Sequence, residues 1–471
     1  MNTEEPDVTE VNSVAASESW SGSEPRSGSE RRSSSESWSG SESWPGSESW
    51  PEPESESESW SGPVALIGAR LIDGTGAAAR PATDLLIEGG RIIRLGPTGS
   101  IGIPPLARIV PCDGLSALPG FIDSHTHVER DIPAVLHGFL QDGVTSIGNT
   151  GSGPQLIEEL HRAGRQPGAA NVFVAGPAIT APGGYPVIRG DGSAARPVHT
   201  ADEARAAVDE LAARGVDFIK VTQESFDFNY RSPGRLPVLA PALIQAAARR
   251  AHEHGLPVRS HVHHVDQLDV ALAAAVDSIE HLLFPLPPET GYVELQRAGR
   301  LRLDALPDFA RWIDRMVAAG VRLVPTLGSE LISIRTGLPK LPDATLTEIE
   351  QLLVEVVRRF TTAGGRVALG SDWVGLPGIP AGRPRQELHR LLAAGLTPLQ
   401  VIEAATQGAA AVCGQAGRLG VLAPGLPADL LLVDGDPSAD LAALDALRVV
   451  LKDGRVVAGR LPVAPATALP S

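Results

Sequence analysis

LPVRSHVHHVDQLDVALAAAVDSIEH, residues 256–281, is the stretch that decides the fold. A short apolar run, LPVRSH, is followed by small and apolar residues in VDQLDVALAAA and then by a second apolar run, VDSIEH. Short apolar runs are typical of buried strands, whereas the alanine-rich middle favours a helix. The stretch therefore predicts a strand, a helix and a second strand, the unit from which parallel sheets are built.

The same unit recurs on both sides of this stretch, from Pro119 to about Gly408. The apolar runs are GFIDSH (120–125), GVTSIG (143–148), NVFVAG (171–176), VDFIKV (216–221), LPVRSH (256–261), VDSIEH (276–281), VRLVPT (321–326) and GRVALGSD (365–372). Many follow a glycine that fits a helix C-terminal cap, namely Gly143, Gly215, Gly255, Gly320 and Gly365. Eight strand–helix units predict an α/β fold with a closed (β/α)8 TIM barrel.

Strand-like segments with glycine-containing turns lie at both ends of the barrel region. VALIGARLIDG, DLLIEGGRIIRLG and ARIVPCDG precede it, and ADLLLVDGD and LRVVLKDGRVVAG follow it. We expect these segments to pair into one small antiparallel sandwich. The predicted domains are a tail at 1–61, a composite β-sandwich from 62–118 and 411–465, and the barrel at 119–410.

Residues 1–61 differ in composition from the rest of the chain. The motif SESW recurs, ending at Trp38, Trp44, Trp50 and Trp60, among Ser, Glu, Gly and Pro. Such a composition buries too little apolar surface to offset ordering entropy, so we expect a disordered low-complexity tail. Five of the seven Trp residues lie here, which leaves two interpretations open: an interaction segment, or a start codon assigned too far upstream.

Charge and hydropathy limit the partners. Residues 1–60 hold 14 Asp/Glu and 3 Arg of a chain with net charge −16, so the remainder is only mildly acidic. No basic surface indicates nucleic acid, no apolar run reaches the roughly 18–20 residues of a membrane span, and no secretory signal is readable. Cys112 and Cys413 form no disulfide framework and no metal-binding spacing. These features predict a cytoplasmic protein that binds neither nucleic acid nor membrane.

Metal-capable side chains stand at the ends of several predicted strands. His125 and His127 are two apart on the first strand and therefore face the same side. The fifth strand ends at His261, the sixth at Glu280 and His281, and the eighth at Asp372. One such histidine alone is more often a satisfied core residue, but so many on separate strands predict a metal site at the carboxyl end of the barrel.

Lys220 lies among apolar neighbours in the fourth strand. Either its ammonium extends past the strand end to solvent, or its neutral amine has reacted with carbon dioxide to give a carbamate that bridges two metal ions. In the second case His125, His127 and Asp372 bind the more buried ion, and His261 and His281 bind the more exposed one. Imidazole and carboxylate ligands suit Zn²⁺, with manganese, cobalt or iron also compatible. Asp372 then takes the proton of a metal-activated water and returns it to the leaving amine.

The whole set of motifs resembles the amidohydrolase superfamily, from Val64 to Leu461, and most of all its imidazolonepropionase-like, prolidase-type branch. The carriers are LPGFIDSHTHVE (118–129), FIKV (218–221), the strand-end His261 and His281, ALGSDW (368–373), TPLQVIEAATQGAAAVCG (397–414) and GRLGVLAPGLPADLLLVDGDP (417–437). The resemblance implies the metal roles given above, with two ions per chain and a carbamate on Lys220. It also implies a homo-oligomer, since relatives are commonly oligomeric. Ring deaminases carry a Glu near the fifth-strand histidine, and none follows His261 within five residues.

Three further residues are candidates for contact with substrate. Tyr185 in PGGYP stands where the family often has a histidine, and Tyr230 follows the fourth strand. His263 either orients substrate or is exposed in a loop. The expected function is hydrolysis of an amide or peptide bond in a small molecule such as a dipeptide or N-acyl amino acid. Two alternatives remain open: a mononuclear enzyme that opens a cyclic amide, and a non-catalytic scaffold that uses the tail for interactions.

Overall fold

A computed structural model describes residues 62–187, 192–225, 236–284, 303, 309–337, 339–376 and 379–462. The tail predicted to be disordered, residues 1–61, lies outside the described residues. Among the helices that the structure describes, none combines the length and apolar composition needed to cross a bilayer.

Strands from both ends of the described chain form one mixed sheet. Its members are β1 (Val64–Leu71), β2 (Arg80–Glu88), β3 (Arg91–Pro97), β4 (Arg108–Pro111) and β5 (Leu115–Pro119), with β16 (Leu430–Asp434), β17 (Leu447–Lys452) and β18 (Arg455–Gly459). The order is β18-β17-β16-β5-β1-β2-β3, with β4 also paired to β1. The antiparallel pair β5–β16, with Ala117 opposite Leu432, joins the two chain ends.

The sheet expected to be antiparallel also contains parallel pairs. β1 pairs with both β4 and β5 in parallel. Parallel strands need a connection that returns the chain to the starting edge, and residues 98–107 between β3 and β4 provide it.

Eight parallel strands build the second part of the fold. They are β6 (Phe121–Thr126), β7 (Val144–Asn149), β8 (Asn171–Val174), β11 (Ile219–Thr222), β12 (Val258–His264), β13 (Ser278–Phe284), β14 (Arg322–Val324) and β15 (Arg366–Val367). Each lies within or overlaps one of the eight predicted runs. Two short strands extend this sheet: β9 (Ala178–Thr180) pairs with β11, and β10 (Ala195–Pro197) pairs with β9.

Backbone hydrogen bonds close these eight strands into a ring. β6–β7–β8 form one parallel sheet and β11 to β15 belong to another. The Asp217 N–H donates to the Val174 carbonyl at 2.9 Å, and the Ser124 N–H donates to the Leu369 carbonyl at 3.0 Å. These bonds link the two sheets at both edges, so the carboxyl ends of all eight strands meet at one end of the barrel.

Helices cover the outside of the ring. They are α1 (Ile132–Gln141), α2 (Leu156–Gly164), α3 (Ala201–Ala213), α4 (Pro241–Glu253), α5 (Val265–Ala273), α6 (Phe309–Ala319), α7 (Leu327–Gly337), α8 (Asp343–Thr362), α9 (Arg385–Ala393), α10 (Pro398–Glu403) and α11 (Ala409–Val412), with a π-helical turn at Ala404–Gly408 and a 3-10 helix at Leu441–Ala446. Their apolar faces and the strands share one core, because parallel strands are buried on both faces.

Glycines end several helices as predicted, with one shift. Gly143, Gly215, Gly255 and Gly320 adopt positive φ directly after a helix, as a left-handed C-terminal cap requires. The prediction for Gly365 is wrong by one residue: α8 ends at Thr362 with Ala363 as its cap. The left-handed position therefore falls on Gly364, whose φ is +92°.

Asp142 connects the end of α1 to segments far away in the chain. Its carboxylate accepts from the Arg383 backbone N–H at 2.9 Å and pairs with the guanidinium groups of Arg383 and Arg385. The buried Arg383 also donates to the carbonyl of Leu444 in the 3-10 helix. Burial raises the pKa of Asp142, but the charge of Arg383 and the hydrogen bond and charge of Arg385 lower it below its ordinary value of 3.8.

We expect Asp142→Ala to lower the free energy of unfolding by about 2–3 kcal/mol at pH 7, because it leaves Arg383 buried without its counter-ion. Because the pKa is lowered in the folded state, this stabilisation is present at neutral pH and is lost as the pH falls below the ordinary carboxyl range. Urea unfolding at pH 7 measures the loss. Asp445→Ala, which removes only the exposed outer partner of Arg385, is the matched control; an equal loss in both variants would contradict this account.

Candidate metal centre

The first barrel strand, β6, and the segment after the eighth, β15, bring three of the predicted residues together. His125 is buried at the end of β6, and His127 follows it by two residues. Nε2 of His125 and Nε2 of His127 lie 3.5 and 3.1 Å from Oδ1 of Asp372. One ligand atom from each of the three lies within 4.8 Å of the others. Two imidazoles and a carboxylate at this spacing can hold a divalent cation.

The backbone around Asp372 explains how it reaches His125. Gly370 packs so closely on β6 that a Cβ atom at this position would lie 2.7 Å from Cβ of His125. Asp372 then adopts φ of +54°, and its N–H donates to the His125 carbonyl at 2.7 Å. Beside it, the buried Asp123 accepts from the backbone N–H and hydroxyl of Ser371. The turn GSD is thus held on the first strand by backbone and side-chain contacts.

Three histidines from the fifth and sixth barrel strands, β12 and β13, form a second group. The ring centroid of His261 lies 4.4 Å from that of His263 and 4.5 Å from that of His281, and His263 stacks on His281 at 4.6 Å. One nitrogen from each lies within 4.8 Å of the others. The two groups are adjacent, since the rings of His125 and His281 are 5.0 Å apart.

His263 is buried, so the interpretation in which it is exposed in a loop is wrong. β12 continues to His264, so the alternation of the strand carries His263 to the same face as His261, where it is fully buried. Its Nδ1 contacts Glu224 and its Nε2 lies 3.0 Å from Oε1 of Glu330. Burial lowers the pKa of His263, but the charges of Glu330 and Glu224 outweigh this and raise it to about 10.

Two carboxylates at this site were not among the residues predicted from the sequence. Glu224 lies four residues after Lys220, and its Oε2 is 3.2 Å from Nε2 of His261. Glu330 lies in the first turn of α7, and its Oε1 is 3.1 Å from Nδ1 of His281. The available signal was an acidic residue just after a strand end, at VTQE and PTLGSE, where barrel sites collect their side chains.

Lys220 is buried on β11, with its Nζ 4.0 Å from Oε2 of Glu280. Only 3% of the Lys220 surface is exposed, so the alternative in which its ammonium extends to solvent is wrong. Its Nζ has no hydrogen-bond partner among the described residues. Burial disfavours the ammonium and lowers the pKa of Lys220 to about 8. The same oxygen of Glu280 lies 2.6 Å from Nδ1 of His125, which places the amine close to the histidine groups.

Glu280 is held by several donors beneath the histidines. Arg259 donates to it twice, with Nε to Oε1 at 3.0 Å and Nη2 to Oε2 at 2.8 Å. Ser278 donates to Oε1 at 2.7 Å, and Nδ1 of His125 lies 2.6 Å from Oε2. A carboxylate on Nδ1 orients the ring and leaves Nε2 of His125 as the nitrogen that can bind a cation.

The electrostatics of the site fit divalent cations. Burial lowers the pKa of His125 to about 4 and that of His261 to about 3, so both offer a neutral lone pair at pH 7. The carboxylates that contact the clustered histidines are Glu224, Glu280, Glu330 and Asp372, and the cations beside Glu280 are Lys220 and Arg259. Even with His263 protonated the cluster keeps net negative charge, which a bound metal would offset.

The predicted substrate contacts have different outcomes. The Tyr185 ring lies 4.9 Å from the ring of His261. Its carbonyl accepts from the hydroxyls of Thr180 and Thr222, each at 2.6 Å, which ties this loop to two strand ends. Tyr185 therefore lies beside the second histidine group. Tyr230 lies outside the described residues.

Comparisons with known proteins agree with this architecture. The model of the Amidohydrolase family matches residues 116–458. A protein from Bifidobacterium longum assigned as a prolidase has a TM-score of 0.66 and 25% identity, over 86% of this chain and 97% of that one. A Xaa-Pro dipeptidase with bound methionine has a TM-score of 0.67 and 22% identity, over 84% of this chain and all of the other.

A shorter sequence match involves an N-acyl-D-aspartate deacylase from Alcaligenes xylosoxydans xylosoxydans. It is 41% identical over 91 residues, which is 18% of this chain and 17% of the deacylase.

Histidines and a carboxylate grouped at the carboxyl end of a barrel are an arrangement that can hold a divalent metal ion. The chain belongs to the Amidohydrolase family, and its structural neighbours include prolidase-type members. The expected (β/α)8 barrel with an added β-sheet region agrees with that membership. The family match and the hydrolases among the neighbours support the expectation of a hydrolase that acts on C–N bonds.

Proposed function

We propose that this protein is a metal-dependent hydrolase that cleaves an amide or peptide bond of a small molecule, such as a dipeptide or an N-acyl amino acid. The position of Asp372 carries the proposal. Its carboxylate belongs to one donor group with His125 and His127 and to another with His281 and Glu330. A carboxylate shared between two groups of ligands can both hold metal and exchange a proton with water.

The donor set fits two divalent cations. His125, His127 and Asp372 would hold one, and His261 and His281 would hold the other; Zn²⁺ suits these donors, and manganese, cobalt or iron are compatible. When bound, such ions lower the pKa of a coordinated water to about 7 and polarise a carbonyl.

Asp372 is suited to moving the proton in this reaction. Burial raises its pKa, but the hydrogen bond from His127 and the charges of His125 and His127 lower it below its ordinary value. The carboxylate is therefore ionised at neutral pH and can accept a proton from the attacking water. Ser329 donates to its Oδ2 at 2.9 Å and holds its orientation. Returning the proton to the leaving nitrogen completes the cleavage.

Lys220 is proposed to carry a carbamate. Its lowered pKa leaves part of the amine neutral near pH 7, and the neutral Nζ forms a bond to the carbon of CO₂ with release of one proton. Arg259 already neutralises Glu280, so Glu280 does not require Lys220 as its counter-ion. The carbamate would provide two oxygens for the ions held by the two histidine groups.

The proposed substrate class draws on the relatives and on the site. A Xaa-Pro dipeptidase and an N-acyl-D-aspartate deacylase are both named for amides of amino acids. Tyr185, beside His261, is a candidate to contact the substrate next to the cleaved bond. A dipeptide or N-acyl amino acid follows as the first class to test.

Metal analysis combined with a substrate library tests this proposal. We expect about two divalent ions per chain by mass spectrometry, and turnover of members of a dipeptide and N-acyl amino acid library that is lost on chelation and restored by Zn²⁺ or Mn²⁺. Lys220→Met, which cannot form a carbamate, is expected to retain about one ion.

Other results would redirect the assignment. One ion per chain, unchanged in Lys220→Met, together with turnover of cyclic amides would favour a mononuclear cyclic-amide hydrolase. Metal-loaded protein that turns over no amide would favour a non-catalytic scaffold.

A further inference from the structure

The strongest unassigned feature of the molecule is the carboxylate of Glu330. Glu330 follows β14, the seventh barrel strand, for which no site residue was predicted. Only 1% of the Glu330 surface is exposed. Its Oε1 lies 3.0 Å from Nε2 of His263 and 3.1 Å from Nδ1 of His281. Its Oε2 is buried and has no hydrogen-bond partner in the described part of the chain. A buried carboxylate oxygen without a donor is costly unless a cation meets it.

Glu330 also connects the two histidine groups. Glu330, His281 and Asp372 each offer a ligand atom within 4.8 Å of the other two. Asp372 belongs also to the group of His125 and His127, and His281 belongs also to the group of His261 and His263. Glu330 therefore stands at the junction, where a carboxylate oxygen can reach an ion held by the second group.

The backbone before Glu330 is built to bring it there. Thr326, a β-branched residue, adopts φ of +48°, which such residues rarely do. This turns the chain sharply at the end of β14, so that α7 begins at the rim of the barrel. Glu387 accepts from the N–H groups of Leu327 and Gly328 at 3.0 and 2.9 Å and holds the first turn in place. The same turn brings Ser329 to Asp372.

Thr326 and Glu330 also orient His281. Nδ1 of His281 lies 2.7 Å from Oγ1 of Thr326 and 3.1 Å from Oε1 of Glu330. With Nδ1 committed to these oxygens, Nε2 is the nitrogen left for a cation. Oε1 of Glu330 thus orients a ligand, while its Oε2 is free to be one.

We propose that Glu330 is itself a ligand of the second divalent cation, beside His261 and His281. This assignment rests on the proposed metal-dependent function and adds an anionic donor from the seventh strand end. Two imidazoles with a carboxylate suit cations of the Zn²⁺ or Mn²⁺ type. A role in orienting His281 alone is the competing explanation, and the two differ in what a glutamine at this position preserves.

Titration of metal-free full-length protein with Co²⁺, followed by visible absorption and calorimetry, tests the assignment. The amide oxygen of Glu330→Gln still accepts from Nδ1 of His281 but is a poor, neutral metal ligand. We expect Glu330→Gln to bind the first ion as wild type does and the second at least about 100-fold more weakly, beyond the range for losing an orienting partner alone. The absorption of the second ion should be lost in parallel.

Asp429→Asn is the matched control, because it makes the same change at a buried carboxylate bonded to the backbone of Asp453 in the composite sheet. It should bind both ions as wild type does. If Glu330→Gln binds the second ion less than about 100-fold more weakly than wild type, Glu330 only orients His281 and the assignment is wrong. If wild type itself binds no divalent ion, the proposed metal-dependent function is wrong as well.

Discussion

Asp372→Asn is expected to lower kcat by about 10²–10⁴-fold on any amide that the wild-type enzyme hydrolyses, because the amide cannot take a proton from water or return one to the leaving nitrogen. KM should change much less, since the proton transfer belongs to the chemical step. Steady-state kinetics on a substrate found in the library assay measures both. The loss should persist when the variant is saturated with metal.

Folding should survive this substitution. Asp372 adopts φ of +54°, a left-handed conformation in which asparagine is also well represented. The backbone N–H that donates to His125 is unchanged, and the amide can still hydrogen-bond to Ser329. Thermal unfolding close to that of wild type, together with a loss of kcat that remains after added metal has restored occupancy, would show that the loss is chemical. An Asp372→Asn variant that retains wild-type kcat would exclude the carboxylate as the proton acceptor.

Arg259→Met is expected to lower the free energy of unfolding by about 3–5 kcal/mol, since it leaves Glu280 buried without its cation. Both side chains of this pair are fully buried. Arg259 also donates to the Ser124 carbonyl at 2.8 Å and lies 4.6 Å above the Phe218 ring. Denaturant unfolding of wild type and variant at pH 7 measures the difference.

Two further variants separate burial of the charge from loss of the ion pair. Arg250→Met breaks a paired arginine at the surface, with Asp209 at 2.6 Å, and should cost far less because solvent screens exposed pairs. The double variant Arg259→Met with Glu280→Met should recover part of the stability, because the two charges of the buried pair are removed together. Equal stability of Arg259→Met and Arg250→Met would show that the buried pair does not stabilise the fold.

Sequence patterns predicted best those features of the structure that depend on residues close together in the chain. The eight apolar runs marked all eight barrel strands, because a strand buried on both faces needs continuous apolar residues. Parallel pairing then required that their carboxyl ends meet, which is why His125, His127, His261, His281 and Asp372 could be grouped from the order of the strands alone. Five helix ends were predicted within one residue from glycine, whose conformational freedom is local.

What only the tertiary structure decided is which side chains face one another across the barrel. Arg259 was not among the predicted site residues, and its partner Glu280 lies 21 residues away on the next strand. Glu330 was not predicted because its position depends on the left-handed turn at Thr326, and no residue type at that turn predicts this conformation. The sequence by itself thus determined the barrel and the histidine–aspartate set, through local periodicity and the polarity of parallel strands. The buried carboxylates that complete the site were settled by contacts between distant segments, which local patterns do not encode.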